Sequence, residues 1–576
     1  MTSLLRGSLL RLACALFLLL FGLSWSPLVT HSADGPTYAE YAVAADNVQA
    51  SEAGASILAA GGNAADAAAA TMLALGVASP SSSGLGGGGF ALYYRASDKS
   101  LSFLDFRERA PRGATPDMYK RGPNETQEAA DERSRVGGLA VAVPGEPLGV
   151  AELVARFGKL PLKTVVEPAR KLAQDGFNLS AHTLRILGFV GKEFLRDPLA
   201  AKLYGGSPAV GTALKNPALA KTLELLGSQG AQPFYRGAIA RQIVAAVRSH
   251  GGVMTAQDLL DYKTVDRKPL LGTRFGYDFA TAPPPSAGGY TILTSMALLE
   301  RWLPTKAHWQ GPERYHALIE SWKGPYLDRQ SYLGDPDAVA LPLEALSAPE
   351  RLTERASRYH PLLAAPVDSY TQPLPATPAP ALQPDNRGTS HLCVVDAEGN
   401  IAAVTTTVNL PFGARISVAG MWLNDEMDDF ASEVGEQNAF GLSGGAPNLP
   451  GPGKRPVSSM TPTIVFKDGT PILCVGGSGG SRIVTAVQQV ALGILIDGLH
   501  PARAVVAPRL HHQAVPAHVD ARDLPQATFD ELVKRGHAMR PMGFSAHVQA
   551  IAIGAPGPER LKAASDPQKG GEPRGK

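Results

Sequence analysis

The chain has 576 residues, and its 54 Lys and Arg against 52 Asp and Glu leave a formal net charge of +2. So even a balance carries no electrostatic footprint for nucleic acid. With 61 Gly and 47 Pro, the composition favours a large protein with many tight turns over a helical bundle.

At the start, Arg6 and Arg11 precede the apolar run LACALFLLLFGL, residues 12–23. That run is short for a bilayer span and has the length of a secretory h-region. Residues 1–33 are therefore expected to be a signal segment, with an uncleaved anchor as the alternative. Beyond it, Cys393 and Cys474 sit in apolar strand-like runs and are expected as buried thiols. No Cys/His cluster has zinc spacing, so no metal is expected.

SEAGASILAAGGNAADAAAATMLALGVASP reads as two helices parted by Gly61 and Gly62. Asn63 can cap the second, with Asp66 in its first turn. That helix is apolar nearly all round, which predicts burial between layers. In GLGGGGF, Gly84, Gly86 and Gly89 match G-x-G-x-x-G, but a helix precedes and a strand follows. A dinucleotide site needs the reverse order. Further helices are expected in PGEPLGVAELVARFG, LKTVVEPARKLAQDG and AIARQIVAAVRSHGG, and after the loop ATAPPPSAGG. Residues 362–384 are Pro-rich and predict an extended segment. Two hairpins follow, HLCVVDAEGNIAAVTTTV and TPTIVFKDGTPILCVGG, then a Gly-rich loop and the helix RIVTAVQQVALGILIDG. Strands and helices in both halves predict stacked sheets covered by helices. The polar tail after Leu561 is expected to be loose.

Between the Pro-rich run and the first hairpin stands Gly388-Thr389-Ser390-His391. One reading is a turn before a strand. The other is a cut between Gly388 and Thr389. A Thr hydroxyl is a weak nucleophile unless a base sits beside it, and an N-terminal Thr carries one: its own α-amine, of pKa about 7.7–8.0. Thr405, Thr407 and Asn409, spaced by two, share a strand face, which is either solvent-exposed or functional. Glu426, Asp428 and Asp429 cluster in WLNDEMDDF among apolar neighbours and could form a pocket for an ammonium group. Ser458 and Ser459 precede a strand and could bind a carboxylate. In LCVGGSGGSRIVTAV the order strand–loop–helix permits a phosphate cradle, yet the P-loop Lys is missing. Backbone N–H groups at Gly479 and Gly480 would serve equally as an oxyanion hole.

Ten segments in order resemble the γ-glutamyltransferase family of N-terminal nucleophile hydrolases. They are SEAGASILAAGGNAADAAAAT, SSSGLGGGGF, LDFRERAP, PPPSAGG, TSHLCVVDAEGNIAAVTTTVN, LNDEMDDF, GKRPVSSMTPTIV, GGSGGSRI, APRLHHQ and ASDPQKGG. The resemblance implies an α+β fold, a four-layer αββα sandwich, whose precursor cuts itself into a large chain (34–388) and a small chain (389–576) that stay associated. It implies Thr389 as nucleophile, with Thr407 assisting. Asn409, Glu426 and Asp429 would hold the substrate α-ammonium; Arg107, Ser458 and Ser459 would clamp its α-carboxylate. Gly479 and Gly480 would stabilise the oxyanion. Phe440 falls where an aromatic lid gate, often Tyr, would sit, and without a ring hydroxyl its closure is expected to be looser.

The implied substrates are small γ-glutamyl compounds such as glutathione, with water, amino acids or peptides as acceptors. No cofactor is required, no nucleic acid or stable membrane span is expected, and the signal segment implies export to a periplasm or the exterior. The rival readings are a glutaryl acylase on the same scaffold, which needs no ammonium pocket, and a non-catalytic exported amino-acid- or peptide-binding protein, which needs no nucleophile.

Overall fold

The computed structural model describes residues 35–304, 309, 311–371, 388–543 and 546–576. The signal segment and most of the Pro-rich run, residues 372–387, lie outside the described residues. Among the described residues no helix is long and apolar enough to cross a membrane.

Two sheets of seven strands each form the centre. One runs in the order Arg574–Gly575, Ala42–Ala45, Gly388–Val395, Ile401–Asn409, Gly88–Arg95, Ser100–Phe106, Val265–Arg267. The other runs Thr37–Tyr38, Leu561–Ser565, His547–Ile553, Thr470–Ser478, Thr463–Lys467, Tyr277–Thr281, Leu270–Arg274. Both expected hairpins are present and antiparallel.

The period-2 alternation of strand side chains decides what each face meets. Along Gly388–Val395, Leu392 and Val394 point to one apolar cluster shared with the helices Ala64–Ala78 and Leu162–Asp175. Cys393 and Val395 point to another, which holds Val475 and Ala550 of the second sheet. That second cluster continues to the helices Gly288–Trp302, Gly311–Tyr332 and Arg482–Leu495 on the far side. The layers are therefore helix, sheet, sheet, helix, the expected sandwich.

The Ala64–Ala78 helix starts at a capping box: Asn63 accepts from the amides of Ala65 and Asp66, and Asp66 accepts from the Asn63 amide. Its small residues let it lie close against the first sheet, and all but Gly76 are buried. Cys393 and Cys474 are free and buried, as expected. The three-residue group His316, Glu320 and His537 has metal-like proximity. Its polar atoms are already paired, His316 Nδ1 with His537 Nε2 at 2.7 Å inside the group, and outside it His316 Nε2 with the His360 carbonyl at 2.8 Å and Glu320 with Lys323 at 2.6 Å and Tyr370 at 2.7 Å.

The expectation of a loose tail after Leu561 is wrong. Leu561–Ser565 is a paired strand, Lys569 is buried, and Arg574–Gly575 adds an edge strand beside Ala42–Val43. Polar composition misled because the buried polar groups there, Lys569 and Asp566, have partners inside the fold.

One buried acid has a stability consequence. Glu146 opens the Glu146–Phe157 helix, is fully buried, and accepts a hydrogen bond from the Thr406 hydroxyl. Burial pushes its pKa from 4.5 to about 8. The folded protein thus keeps a proton that the unfolded chain releases, and stability falls as pH rises between those two values. Glu146→Gln is expected to raise the melting temperature, and by more at pH 9 than at pH 5, in thermal scans of the two proteins.

Candidate active site

Thr389 and Thr407 lie opposite each other on the central hairpin, with a register irregularity between Gly388 and Thr389. The hydroxyl of Thr407 has one proton, and it is donated to the Gly388 carbonyl oxygen at 2.6 Å. Its oxygen accepts from the Asn409 amide at 2.8 Å. The Thr389 hydroxyl stands at 3.2 Å, and the remaining lone pair of Thr407 makes Thr389 the donor. Asn409 delivers its amide from left-handed backbone, φ 74°, with its side-chain Nδ2 donating to the Asp425 carbonyl at 3.0 Å. The face is buried, so the solvent-exposed strand reading is excluded: Thr405, Thr407 and Asn409 are each at most 2% exposed.

Gly388 is required by crowding. A Cβ there would come within 2.7–2.9 Å of the carbonyl oxygens of Ser81, Leu410 and Asn409. These are backbone atoms that cannot swing aside.

Behind Thr389 is a pair that sequence reasoning missed. Lys569 donates to the Thr389 carbonyl oxygen, to Ser478 Oγ at 3.2 Å and to Asp46 Oδ2 at 2.8 Å. Asp46 also accepts from the His391 amide at 3.1 Å and from the Gln549 side chain. Burial pulls the Lys569 ammonium below its ordinary pKa and pushes Asp46 above its own, while each charge opposes the other's shift. The only sequence signal was the segment ASDPQKGG, which carried the family resemblance without a role for Lys569.

At the end of the Thr470–Ser478 strand, Gly479 and Gly480 take φ 135° and 57° just before the Arg482–Leu495 helix. Among the described residues their amide N–H groups have no hydrogen-bond partner. Two unpaired donors at a helix N-terminus suit a developing negative charge. The Phe440 ring covers Gly480, where a Cβ would meet ring carbon Cδ1 at 2.5 Å. Its loop is held without a ring hydroxyl. Asn438 accepts from the Phe440 amide at 3.0 Å and donates to Asp429 at 3.1 Å, and Gln513 donates to the carbonyl of Gly441 at 2.8 Å.

The charged residues meet in one buried cluster. Arg107 pairs with Glu426 and Asp429, each at 2.6 Å, and its guanidinium also reaches the carbonyls of Pro456 and Val457 at 3.4 and 3.5 Å. Those carbonyls adjoin Ser458 and Ser459, both buried; Ser458 Oγ accepts from the Met460 amide at 3.1 Å. Glu108 adds a third carboxyl, 4.0 Å from Arg107. Burial pushes Glu426 well above the usual carboxylate range and Glu108 to about 7, with Arg107 working against both. Buried Arg329 also acts on Asp429 and Arg107. Three carboxyls still outnumber the two guanidiniums, so the cluster favours a further cation, while Arg107 supplies a planar donor for a carboxylate.

A family model described as gamma-glutamyltranspeptidase matches residues 50–575. The chain belongs to that family. It is 37% identical over 539 residues to the glutathione hydrolase proenzyme of Escherichia coli K12, covering 91% of this chain and 90% of that one. Among solved structures, the cephalosporin acylase from Bacillus halodurans is similar with TM-score 0.81 at 25% identity, over 96% and 99% of the two chains. The gamma-glutamyltranspeptidase from Pseudomonas nitroreducens complexed with L-DON matches with TM-score 0.51 at 33% identity, over 56% of this chain and 94% of that chain. The fold is thus that of the γ-glutamyltranspeptidases and related acylases, and the chain is an enzyme of this family.

The geometry around Gly388 makes two expected outcomes concrete. Thr407→Val removes the donor on the Gly388 carbonyl, and a single donor of this kind is worth roughly 100- to 1,000-fold in rate. Cleavage of the purified precursor, followed over time on denaturing gels, should slow by that order. Gly388→Ala should leave the chain uncut, because the added methyl displaces the carbonyl from Thr389.

Proposed function

We propose that Thr389 is the nucleophile of a γ-glutamyltransferase and glutathione hydrolase, formed when the precursor cuts itself between Gly388 and Thr389. The observation that carries this reading is the mixed-charge cluster of Arg107, Glu426 and Asp429. A γ-glutamyl group ends in an α-ammonium and an α-carboxylate, and the cluster offers a partner to each. Asn409 joins the two acids on the ammonium, and Ser458 and Ser459 join Arg107 on the carboxylate.

In the precursor, the Thr389 hydroxyl attacks the Gly388 carbonyl carbon while Thr407 donates to its oxygen. The C–N bond breaks, the Thr389 nitrogen becomes a free amine, and water releases the resulting ester as the Gly388 carboxylate. Residues 34–388 become the large chain and 389–576 the small chain, with 1–33 removed as a signal for export to a periplasm or the exterior. That a solved relative is 94% covered by 56% of this chain supports a two-chain product.

In the mature enzyme the α-amine of Thr389 takes the proton of its own hydroxyl, which attacks the γ-carbonyl carbon of the donor. Gly479 and Gly480 receive the negative charge on oxygen. The donor amine leaves with the proton, and a γ-glutamyl ester of Thr389 remains until water or an acceptor amine resolves it. Phe440 closes the lid over this site.

The test is amine release from γ-glutamyl-anilide and glutaryl-anilide side by side. Preference for the γ-glutamyl compound is expected. Preference for the glutaryl compound would move the enzyme to the acylase branch, the reading favoured by the likeness to a cephalosporin acylase. Thr389→Ala should remain one chain on a gel and release neither amine.

The same pair of substrates carries a pH signature. The ammonium is held by ionised carboxyls, and Glu108, pushed up to about 7, and Glu426 beside it lose their proton only as pH rises. The ratio of kcat/KM for the γ-glutamyl over the glutaryl compound should therefore climb through about pH 7. Titration of the Thr389 amine affects both substrates and cancels in the ratio.

A further inference from the structure

We propose that Lys569 is a positioning residue for the base of the reaction: its ammonium, fixed on the carbonyl oxygen of Thr389, keeps the α-amine of the cut chain in its free-base form at neutral pH. The proposal rests on the N-terminal nucleophile reading above and adds a residue to it.

The Thr389 hydroxyl needs its amine unprotonated, and an ordinary α-amine of pKa about 7.7–8.0 is mostly ammonium at pH 7. The surroundings of Thr389 decide how far that balance moves. Three covalent bonds separate the nitrogen of a residue from its own carbonyl oxygen, so the two atoms lie less than about 4 Å apart. Lys569 Nζ donates to that oxygen, which places a buried positive charge beside the nitrogen that scission turns into an amine. Its other two N–H donors go to Asp46 and Ser478, so the ammonium is fixed in place. A like charge this close disfavours protonation of the amine.

Asp46, 2.8 Å from Lys569 Nζ, works the other way, but it stands further off. It accepts from the amide of His391, two residues on in the Gly388–Val395 strand. Two residues of strand span about 6.6 Å. The pair therefore turns its positive end to the amine. With an effective dielectric constant of about 20, the nearer cation outweighs the carboxylate by enough to lower the amine's pKa by roughly 0.5 to 1.

The other charged and titratable groups around the pair hold their state through the neutral range. Asp566 is paired with Arg509 at 2.8 Å. Burial, with the Lys569 charge added, keeps His182 and His547 neutral. Burial pulls His391 down to about 3, so it is neutral as well. Arg185, on the Ala181–Val190 helix beside His182, is a permanent cation and adds to the same sign.

The test is a pH titration, by NMR, of mature enzyme labelled with nitrogen-15 threonine, in which the Thr389 amine is the one threonine nitrogen that is not an amide. Wild type, Lys569→Arg and the double variant Asp46→Asn with Lys569→Met are compared; the double variant removes both charges and strands neither. The wild-type amine is expected to titrate below the ordinary range of about 7.7–8.0, and Lys569→Arg close to wild type. The double variant should titrate higher than wild type by roughly 0.5 to 1, and the acid limb of single-turnover acylation by γ-glutamyl-4-nitroanilide should move with it. A merely structural role would reduce the yield of active enzyme and leave the midpoint alone. Equal midpoints in wild type and double variant overturn the proposal, as does a wild-type midpoint within or above the ordinary range. If the double variant stays uncut, Lys569→Arg decides: a midpoint at the wild-type value supports the proposal and one in the ordinary range overturns it. A wild type that stays uncut, with no amine signal, overturns the N-terminal nucleophile reading and this one with it.

Discussion

The hydroxyl of Thr407 sits where three separate requirements meet. It donates to the Gly388 carbonyl, accepts from the Asn409 amide, and is within reach of the Thr389 hydroxyl. A Thr side chain can make these contacts and no more, so every partner is determined once one is fixed. The register irregularity at Gly388–Thr389, the left-handed backbone of Asn409 and the crowding of Gly388 by three carbonyls follow from holding that arrangement. The surrounding αββα layers keep the hairpin dry, and a dry site strengthens each of these hydrogen bonds.

Away from the hairpin, the protein buries charge in two different ways. Lys569 and Asp46 form a closed pair whose remaining bonds go to backbone and neutral side chains. Removing either would leave an uncompensated buried charge, a loss of about 3–5 kcal/mol in comparable pairs. The cluster at Arg107 is left open instead: three carboxyls lie around its guanidinium, with buried Arg329 also acting on Asp429, and burial pushes Glu426 and Glu108 up. A closed pair fixes the strand that bears Thr389. On the proposed reading, the open cluster is the part that takes the donor's zwitterion.

Much of this was legible in the sequence, for physical reasons that differ by element. The Ala64–Ala78 helix could be read because Asn63 and Asp66 give a local cap signal and its apolar residues go all round. The hairpin at Thr389 could be read from two strand-like runs around a Gly-containing turn, though alternation could not say which face is buried, since every residue of both strands is. Glu426 and Asp429 are neighbours in WLNDEMDDF and could be read as a cluster, but Arg107 lies 322 positions from Asp429, and only the family resemblance brought it to them; their direct pairing needed the fold. Lys569 and Asp46 are 523 positions apart, and nothing local marks either as buried. The tail was misjudged for that reason: its polar residues satisfy partners at the other end of the chain. Asn438 and Gln513, which hold the Phe440 loop, act through backbone groups and leave no pattern in composition.

The order of strands in the first sheet has one more consequence. Gly388–Val395 lies between Ala42–Ala45 and Ile401–Asn409, and the latter pairs with Gly88–Arg95, so segments from before and after Gly388 are interleaved. Scission at Gly388 on the proposed scheme frees no loose fragment, since each piece completes the other's sheet. It does change what folding means for the molecule. The intact precursor can reach this fold as one chain, at a rate independent of its concentration. Once cut and unfolded, two separate polypeptides would have to find each other first, so recovery becomes a bimolecular event that dilution suppresses. The nick that makes the enzyme would thus also make its unfolding, in dilute solution, a one-way passage.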